Sequence, residues 1–386
     1  MSGPLTGVRV LDLTRVLSGP FATLMLADLG ADVIKVESVG VGDIMRAARG
    51  PQRNGLTAAF ANLNRGKRSV ALDFRSDAAV EVVCRLASRA DVLVENFRPG
   101  VADAMGIGPG RLRALNPRLI YVAISGYGTR SPASTEPAYD SIIQARTGLA
   151  TLQGPNPDQP AVVRTVIGDK VPAYMTTQAI LAALYARERG RSGQTIEVPM
   201  FDTTLYYLWP DSAGALTFVD GATGGVPFGG LGLTATADGA IAFHVISPRE
   251  QANVHAALGL DPDDPTSRNR WPEVIGTLTT AEAVDRLRSH GVGCSATRRL
   301  EEVLDDEHVV ATELMHEWEH PGVGLLRYPR HPVSYETTQA EQRDFVPGLG
   351  EHTREVLREV GYSDVEIDGL RASSAVDGFP AEPSSR

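Results

Sequence analysis

Within "VRTVIGDKVPAYMTTQAILAALYARERG", residues 163–190, one acid, Asp169, stands between a strand-like apolar run and a helix-like run. Two chemistries suit a carboxylate at that junction. It can cap the helix that follows by accepting first-turn backbone N–H groups. It can also attack an electrophilic carbonyl as a covalent nucleophile, its charge favoured by the positive end of the helix. The local residues leave both readings open. Other patterns with chemistry are sparse: there is no GxxxxGK or GxSxG, and "VGVGD" (39–43) is an incomplete dinucleotide fingerprint without its helix. His316 and His320 stand four apart with no third ligand nearby, so no metal is expected.

The elements that must position Asp169 have an α/β rhythm. "VRVLDLT" (8–14), "ADVIKVES" (31–38), "SVALDF" (69–74), "DVLVENF" (91–97) and "LIYVAISGYG" (119–128) read as strands. Helical patterns fall between them at 19–30 and 77–90, and Asp169 then precedes a helix over 172–190. A further strand and helix follow in "QTIEVPMFDTTLYYLW" (194–209). Apolar runs joined by helices imply βαβ units around a parallel sheet. The domain reading is a large α/β domain over 1–209, a glycine-rich connector over 210–232 and a small α+β domain over 233–322. The small domain opens with a hairpin turning at Asp238 and Gly239 and continues with helices at 248–259, 278–289 and 299–314. Residues 323–372 return to the large domain, and 373–386 form a flexible tail.

Bulk properties exclude several classes. The chain has 386 residues, 42% of them hydrophobic, enough for a sizeable core. A formal net charge of −10 argues against a partner chosen by general phosphate attraction, so no nucleic acid is expected. Two isolated cysteines, Cys84 and Cys294, argue against a disulfide scaffold and for a reducing compartment. No apolar run is long enough to span a membrane and the N-terminus does not read as a signal peptide, so the expected location is cytoplasmic.

Ordered blocks across nearly the whole chain carry a resemblance. They include "PLTGVRVLDLTRVLSGPFATLMLADLGADVIKVE" (4–37), "NRGKRSVALDF" (64–74), "DVLVENFRPG" (91–100), "YDSIIQARTG" (139–148), "IGDKVPA" (167–173) and "GLGEHTREVL" (348–357). With these blocks the sequence resembles the class III CoA-transferases of the CaiB/BaiF type, among them the formyl-CoA transferases. The resemblance implies a large Rossmann-like parallel-sheet domain with a smaller α+β domain, in an interlocked homodimer. It implies coenzyme A, delivered as an acyl-CoA donor, and a small carboxylic acid acceptor. It also implies that Asp169 is the nucleophile and passes through an aspartyl-CoA intermediate. Tyr139 then lies beside the acyl group or the acceptor carboxylate. CoA contacts fall by resemblance on Arg15, Val16 and Leu17, on Leu72 and Arg75 at the adenosine end, and on Asn96, Phe97 and Met105 along the nucleotide and pantetheine.

A related racemase uses a histidine where this chain has Tyr139. A phenol with a reference pKa near 10 is a poor reversible proton carrier at neutral pH, so transfer ranks above racemisation, and the intact "GD" block at 168–169 ranks it above simple CoA binding. Three basic positions of the formyl-CoA transferase pattern are Ser38, Ala104 and Pro137 here. Phosphate contacts are then expected from Arg15, Arg46 or Arg98, while Lys67, Arg68 and Arg75 read equally as solvated surface charges. The glycine run "GATGGVPFGGLG" (221–232) is shorter than that family's closing loop, so oxalate and formate are not the expected substrates. A short- or medium-chain donor such as succinyl-CoA is.

Overall fold

The computed structural model describes residues 3–221, 223 and 232–378. The chain divides into a unit of Met1–Trp209 with Met315–Arg386 and a second unit of Pro210–Leu314. In the larger unit, seven strands are ordered Val376–Asp377, Arg68–Leu72, Asp32–Ser38, Arg9–Asp12, Val92–Glu95, Ile120–Ser125, Thr195–Pro199. Six run parallel, and only Val376–Asp377 pairs antiparallel at an edge.

Alternating residues of these strands feed two cores, because successive side chains leave opposite faces of a strand. Leu11, Ile34, Val70, Leu93 and Tyr121 pack on one face with Val82 and Leu86 of the Asp77–Ser88 helix and with Val356 and Leu357. Val10, Val33, Val92, Ile120 and Val198 pack on the other with Leu26, Ile180 and Leu184. Burial on both faces explains why these strands read as continuous apolar runs.

From the central strand Arg9–Asp12 the sheet grows one way through Asp32–Ser38 to Arg68–Leu72. The chain then returns to Val92–Glu95, on the other side of the centre, and grows the opposite way. The order therefore reverses between Arg9–Asp12 and Val92–Glu95. In open α/β sheets the crevice beyond the strand ends at such a reversal is where ligands bind.

The structure departs from the sequence expectations at several boundaries. The helix Met200–Ser212 carries through Pro210, so the first residues of the expected connector are helical. The rest of its glycine run, residues 222 and 224–231, lies outside the described residues, as do 379–386 of the expected tail. Residues 373–378 are tied down: Ala375 and Val376 are buried, and Asp73 N–H donates to Ala375 O at 3.0 Å. Met315–His320, assigned from sequence to the small domain, forms a hairpin with Gly324–Pro329 in the larger unit. Trp318 and Tyr328 anchor that hairpin against Phe60 and Val346.

The smaller unit has an antiparallel sheet ordered Cys294–Ala296, Ala240–Phe243, Leu233–Ala235, packed with the helices Pro248–Leu258 and Thr280–Ser289. Both helices begin with a capping box, Ser247 with Glu250 and Thr279 with Glu282. The helix expected over 299–314 is two short pieces, Glu301–Asp305 and Glu307–Ala311. Asp306 breaks the run because its side chain accepts from His308 N–H and starts the second piece. Among the described residues no helix is long and apolar enough to cross a membrane.

Candidate active site

A cavity of about 210 Å3 lies at the order reversal of the sheet. Each wall follows a strand end: Val16, Leu17 and Ser18 after Arg9–Asp12, Asn96 to Pro99 after Val92–Glu95, Ser125 and Gly126 at the end of Ile120–Ser125, and Met200 after Thr195–Pro199. Tyr139 and Asp169 complete it, with Ser134 and Glu136.

Asp169 reaches the cavity because its helix starts earlier than the sequence implies. The helix is Ile167–Glu188, not one beginning at Pro172, and no strand precedes it. Its first cap, Val166, makes no side-chain hydrogen bond. Capping comes instead from a distant residue: Asp140 Oδ1 accepts from Gly168 N–H at 2.6 Å, while Gln144 Nε2 holds the other Asp140 oxygen at 2.7 Å. Gly168 permits that approach, since a Cβ there would lie 3.0 Å from Asp140 O and 3.1 Å from its Oδ1. Asp169, relieved of capping, presents its carboxylate to the cavity.

Electrostatics make this carboxylate unusually basic. Burial, with the Asp140 charge adding to it, pushes the Asp169 pKa up from 3.8 to about 6. The neighbouring Lys170 does not neutralise it, because Lys170 Nζ turns to Thr165 Oγ1 at 2.6 Å. At neutral pH the group is still mostly ionised. It is thus a carboxylate of raised basicity, with no cation among the described residues holding it down.

The opposite wall is a pinned loop. Val16 has φ of +72°, a region that costs a β-branched residue on the order of 1–3 kcal/mol. Several contacts hold it there. Val16 N–H donates to Asp43 Oδ1 at 3.3 Å, and Lys35 Nζ donates to Thr14 O at 2.9 Å while pairing with Asp43 at 2.9 Å. Arg15 N–H donates to Asn96 Oδ1 at 2.9 Å, and Asn96 Nδ2 returns a bond to Arg15 O at 2.8 Å. These bonds join the two loops that flank the reversal of strand order.

The structure gathers Asp169, Tyr139, Val16, Leu17, Asn96 and Phe97 around one cavity. Arg15 adjoins it, its guanidinium 5.4 Å from the centre of the Phe97 ring. Tyr139 is 64% exposed in the single chain and lines the cavity. The others stand apart. Leu72 is fully buried in the core and Met105 packs against that core. Arg75 is 87% exposed and paired with Asp73 at 2.9 Å.

Of the three arginines expected to replace missing phosphate contacts, Arg46 is committed elsewhere. It grips Glu37 through two bonds of 2.7 Å and lies 3.8 Å over the Phe60 ring. Arg98 lines the cavity. Lys67 and Arg68 are not solvated surface charges. Lys67 is fully buried among four oxygen acceptors, and Arg68 is enclosed by Asp32, Glu355 and Glu359. Sequence reading missed Asp140 and Ser18 as parts of the site. The adjacency of Asp140 to Tyr139 in "YDSIIQARTG" was the one signal for the former.

A family model described as CoA-transferase family III matches residues 5–353. The chain belongs to CoA-transferase family III. It is 33% identical to succinyl-CoA:glutarate CoA-transferase of Mus musculus, over 97% of this chain and 90% of the relative. It is 31% identical to formyl-CoA:oxalate CoA-transferase of Escherichia coli, over 97% of this chain and all of the relative (100%). Among solved structures, Rv3272 of M. tuberculosis is similar with a TM-score of 0.79 at 31% identity, covering 92% of this chain and 99% of that one. A CAIB/BAIF family protein of Brucella suis gives 0.81 at 28% identity, covering 93% of this chain and 100% of that one. This chain is thus a CoA-transferase with an α/β fold, and membership implies an acyl-CoA substrate and a carboxylate acceptor. Among the described residues no group of three or more potential ligands is placed to hold a metal.

Proposed function

We propose that this enzyme moves CoA from an acyl-CoA thioester to a small carboxylic acid through a covalent intermediate on Asp169. The observation that carries the reading is the Asp169 carboxylate in the cavity at the reversal of strand order, not used as a cap and without an ion-pair partner among the described residues. Its oxygen attacks the thioester carbonyl, the C–S bond breaks, and CoA leaves as thiolate, giving a mixed anhydride. The thiolate attacks the aspartyl carbon, which releases the donor acid and leaves an aspartyl-CoA thioester. The acceptor carboxylate attacks that thioester, again freeing thiolate and forming a second mixed anhydride. Thiolate then attacks the acceptor's acyl carbon and returns Asp169 as carboxylate. No oxidant, reductant or metal enters the balance.

The donor is a short- or medium-chain acyl-CoA, succinyl-CoA first, in keeping with the substrates named for the Mus musculus relative. Arg15 and Arg98 take the phosphates, with Val16, Leu17, Asn96 and Phe97 along the pantetheine arm. Tyr139 meets the acyl or acceptor group at the rim. Incubating the protein with succinyl-CoA and a panel of carboxylic acids, and following new acyl-CoA by chromatography, tests this. Transfer without exchange of an alpha proton is expected; proton exchange with no transfer would favour a racemase.

A pH dependence follows from the position of the Asp169 pKa. Because it is raised, the protonated and unreactive form dominates below about pH 6, so formation of the covalent intermediate falls about tenfold per pH unit beneath it. In Asp140→Asn the neutral side chain still accepts from Gly168 N–H but no longer repels the Asp169 charge. The acid limb should therefore move to lower pH. A limb unmoved by that change would point to Glu95, whose carboxyl is pushed up to about 7 by burial and whose Oε2 accepts from Phe97 N–H at 2.6 Å.

The assembly is an interlocked homodimer. Supporting it, Tyr174 and Tyr185 of the Ile167–Glu188 helix and Tyr206, Tyr207 and Trp209 of the Met200–Ser212 helix are all exposed in the single chain, aromatic surface that a partner copy would cover. Light scattering should give twice the mass of one chain, and the mass of a single chain would refute it.

A further inference from the structure

Ser18 is 3% exposed and lines the cavity that contains Asp169. Among the described residues its Oγ has no hydrogen-bond partner. A buried hydroxyl left unpaired costs roughly 1–3 kcal/mol, so a native chain that keeps one in its reactive cavity calls for a partner that arrives with the substrate.

Ser18 is also the first residue of the helix Ser18–Asp28, eleven residues long. First-turn N–H groups of a helix have no acceptor within it. Here the cap residue Leu17 makes no side-chain hydrogen bond, and no acidic side chain stands in the first turn. Among the described residues the positive end of this helix therefore has no capping side chain. Gly19 keeps the approach close, since a Cβ there would lie 2.3 Å from the Thr14 side chain.

The direction of the helix sets where that end points. Phe21 meets Tyr174 edge-on with centroids 5.5 Å apart, and Thr177 Oγ1 donates to Ala22 O at 3.2 Å. Each of these packed helices leads into a strand of the same parallel sheet, Asp32–Ser38 and Thr195–Pro199, so the Ser18–Asp28 and Ile167–Glu188 helices are parallel neighbours. Their first turns, carrying Ser18 and Asp169, accordingly open on the same cavity. One supplies a nucleophilic oxygen and the other supplies donors.

Resting on the reading of Asp169 as nucleophile, we propose that the Ser18 hydroxyl is a further catalytic group. It donates a hydrogen bond to the carbonyl oxygen attacked in the cavity, together with the N–H groups of Ser18 and Gly19, since Pro20 has none and Phe21 N–H is taken by Leu17 O at 2.8 Å. When the Asp169 oxygen adds to the thioester carbon, the C=O electron pair moves onto that oxygen. Ser18 O–H stabilises the developing charge and keeps its proton. The pair returns as the C–S bond breaks. Donors held in place before reaction contribute most where water is excluded, and losing one such donor typically costs roughly 100-fold in rate.

The test is rapid-quench measurement of covalent adduct formation from succinyl-CoA by wild type, Ser18→Ala and Asp169→Ala, with CoA affinity and urea stability measured on each. The proposal expects Ser18→Ala to bind CoA within about twofold of wild type and to be at least as stable, because an unpaired buried hydroxyl is gone. Its adduct should form about 100-fold more slowly. An unchanged rate in Ser18→Ala overturns the proposal, as does a loss confined to CoA affinity. Absence of any Asp169-dependent adduct in wild type would instead overturn the underlying nucleophile assignment, so the two failures are separable.

Discussion

Asp169→Asn is expected to abolish CoA transfer, lowering kcat by at least about 1000-fold, because the amide cannot form the anhydride on which each later step depends. The same substitution should stabilise the protein at neutral pH. The folded pKa of Asp169 is raised from 3.8 to about 6, so the native state binds more protons than the unfolded chain between those values. Stability therefore falls as pH rises through that window, and the full cost persists above it. Asparagine carries no charge and avoids the cost. Allowing for the part of the side chain that water still reaches, the gain is on the order of 1–2 kcal/mol at neutral pH and vanishes near pH 4. Urea unfolding at the two pH values, beside a transfer assay, checks both halves. Retained turnover, or a variant less stable than wild type at neutral pH, would contradict the account.

The second large effect concerns the support beneath the cavity. Lys67 Nζ lies 2.9 Å from Asp12 Oδ2, 2.8 Å from Pro20 O, and 2.9 Å from both Thr23 Oγ1 and Asn64 Oδ1, with both charged partners fully buried. Burial pushes Lys67 down to about 8 against the opposing pull of Asp12. Burial likewise works against the Asp12 charge, but Lys67, Lys35 and the hydroxyls of Thr14 and Thr23 outweigh it and hold that carboxyl well below its usual range. Removing one partner strands the other charge in the core. Lys67→Met should therefore cost about 3–5 kcal/mol of stability. It should also loosen the Thr14–Pro20 loop that walls the cavity. Asp12→Asn with Lys67→Met should cost less than the sum of the single changes, because neither charge is then stranded. Urea midpoints for the three variants decide it. A Lys67→Met loss below about 1 kcal/mol would mean that the pair does not support the loop.

How much of this was legible in the sequence depends on how local the cause was. Strands such as Arg9–Asp12 and Val92–Glu95 announce themselves because both faces are buried and the apolar run is continuous. Asp169 drew notice through its position before a helical pattern. The start of that helix was misread because Pro172 suits a first helical turn, whereas Asp140 supplies the cap through Gly168 N–H, 28 residues away in sequence. No periodicity reveals a cap of that kind. Lys67 illustrates the same limit. A lysine beside two arginines reads as a surface charge, and only the convergence of Asp12, Pro20, Thr23 and Asn64 makes it a buried tie. Arg46 resembled a free phosphate ligand until Glu37 claimed it. The edge strand Val376–Asp377 was missed because its two residues are too few to show alternation. Ser18 gave no signal at all: an unpaired hydroxyl is visible only when its surroundings are.

The most direct test of the central claim is intact-protein mass spectrometry after incubation with succinyl-CoA, acetyl-CoA and a small acyl-CoA panel, with Asp169→Ala alongside. The account predicts a CoA-sized or acyl-sized mass increase in wild type that hydroxylamine removes and that Asp169→Ala never shows. Turnover without any adduct, or an adduct that persists in Asp169→Ala, would contradict it.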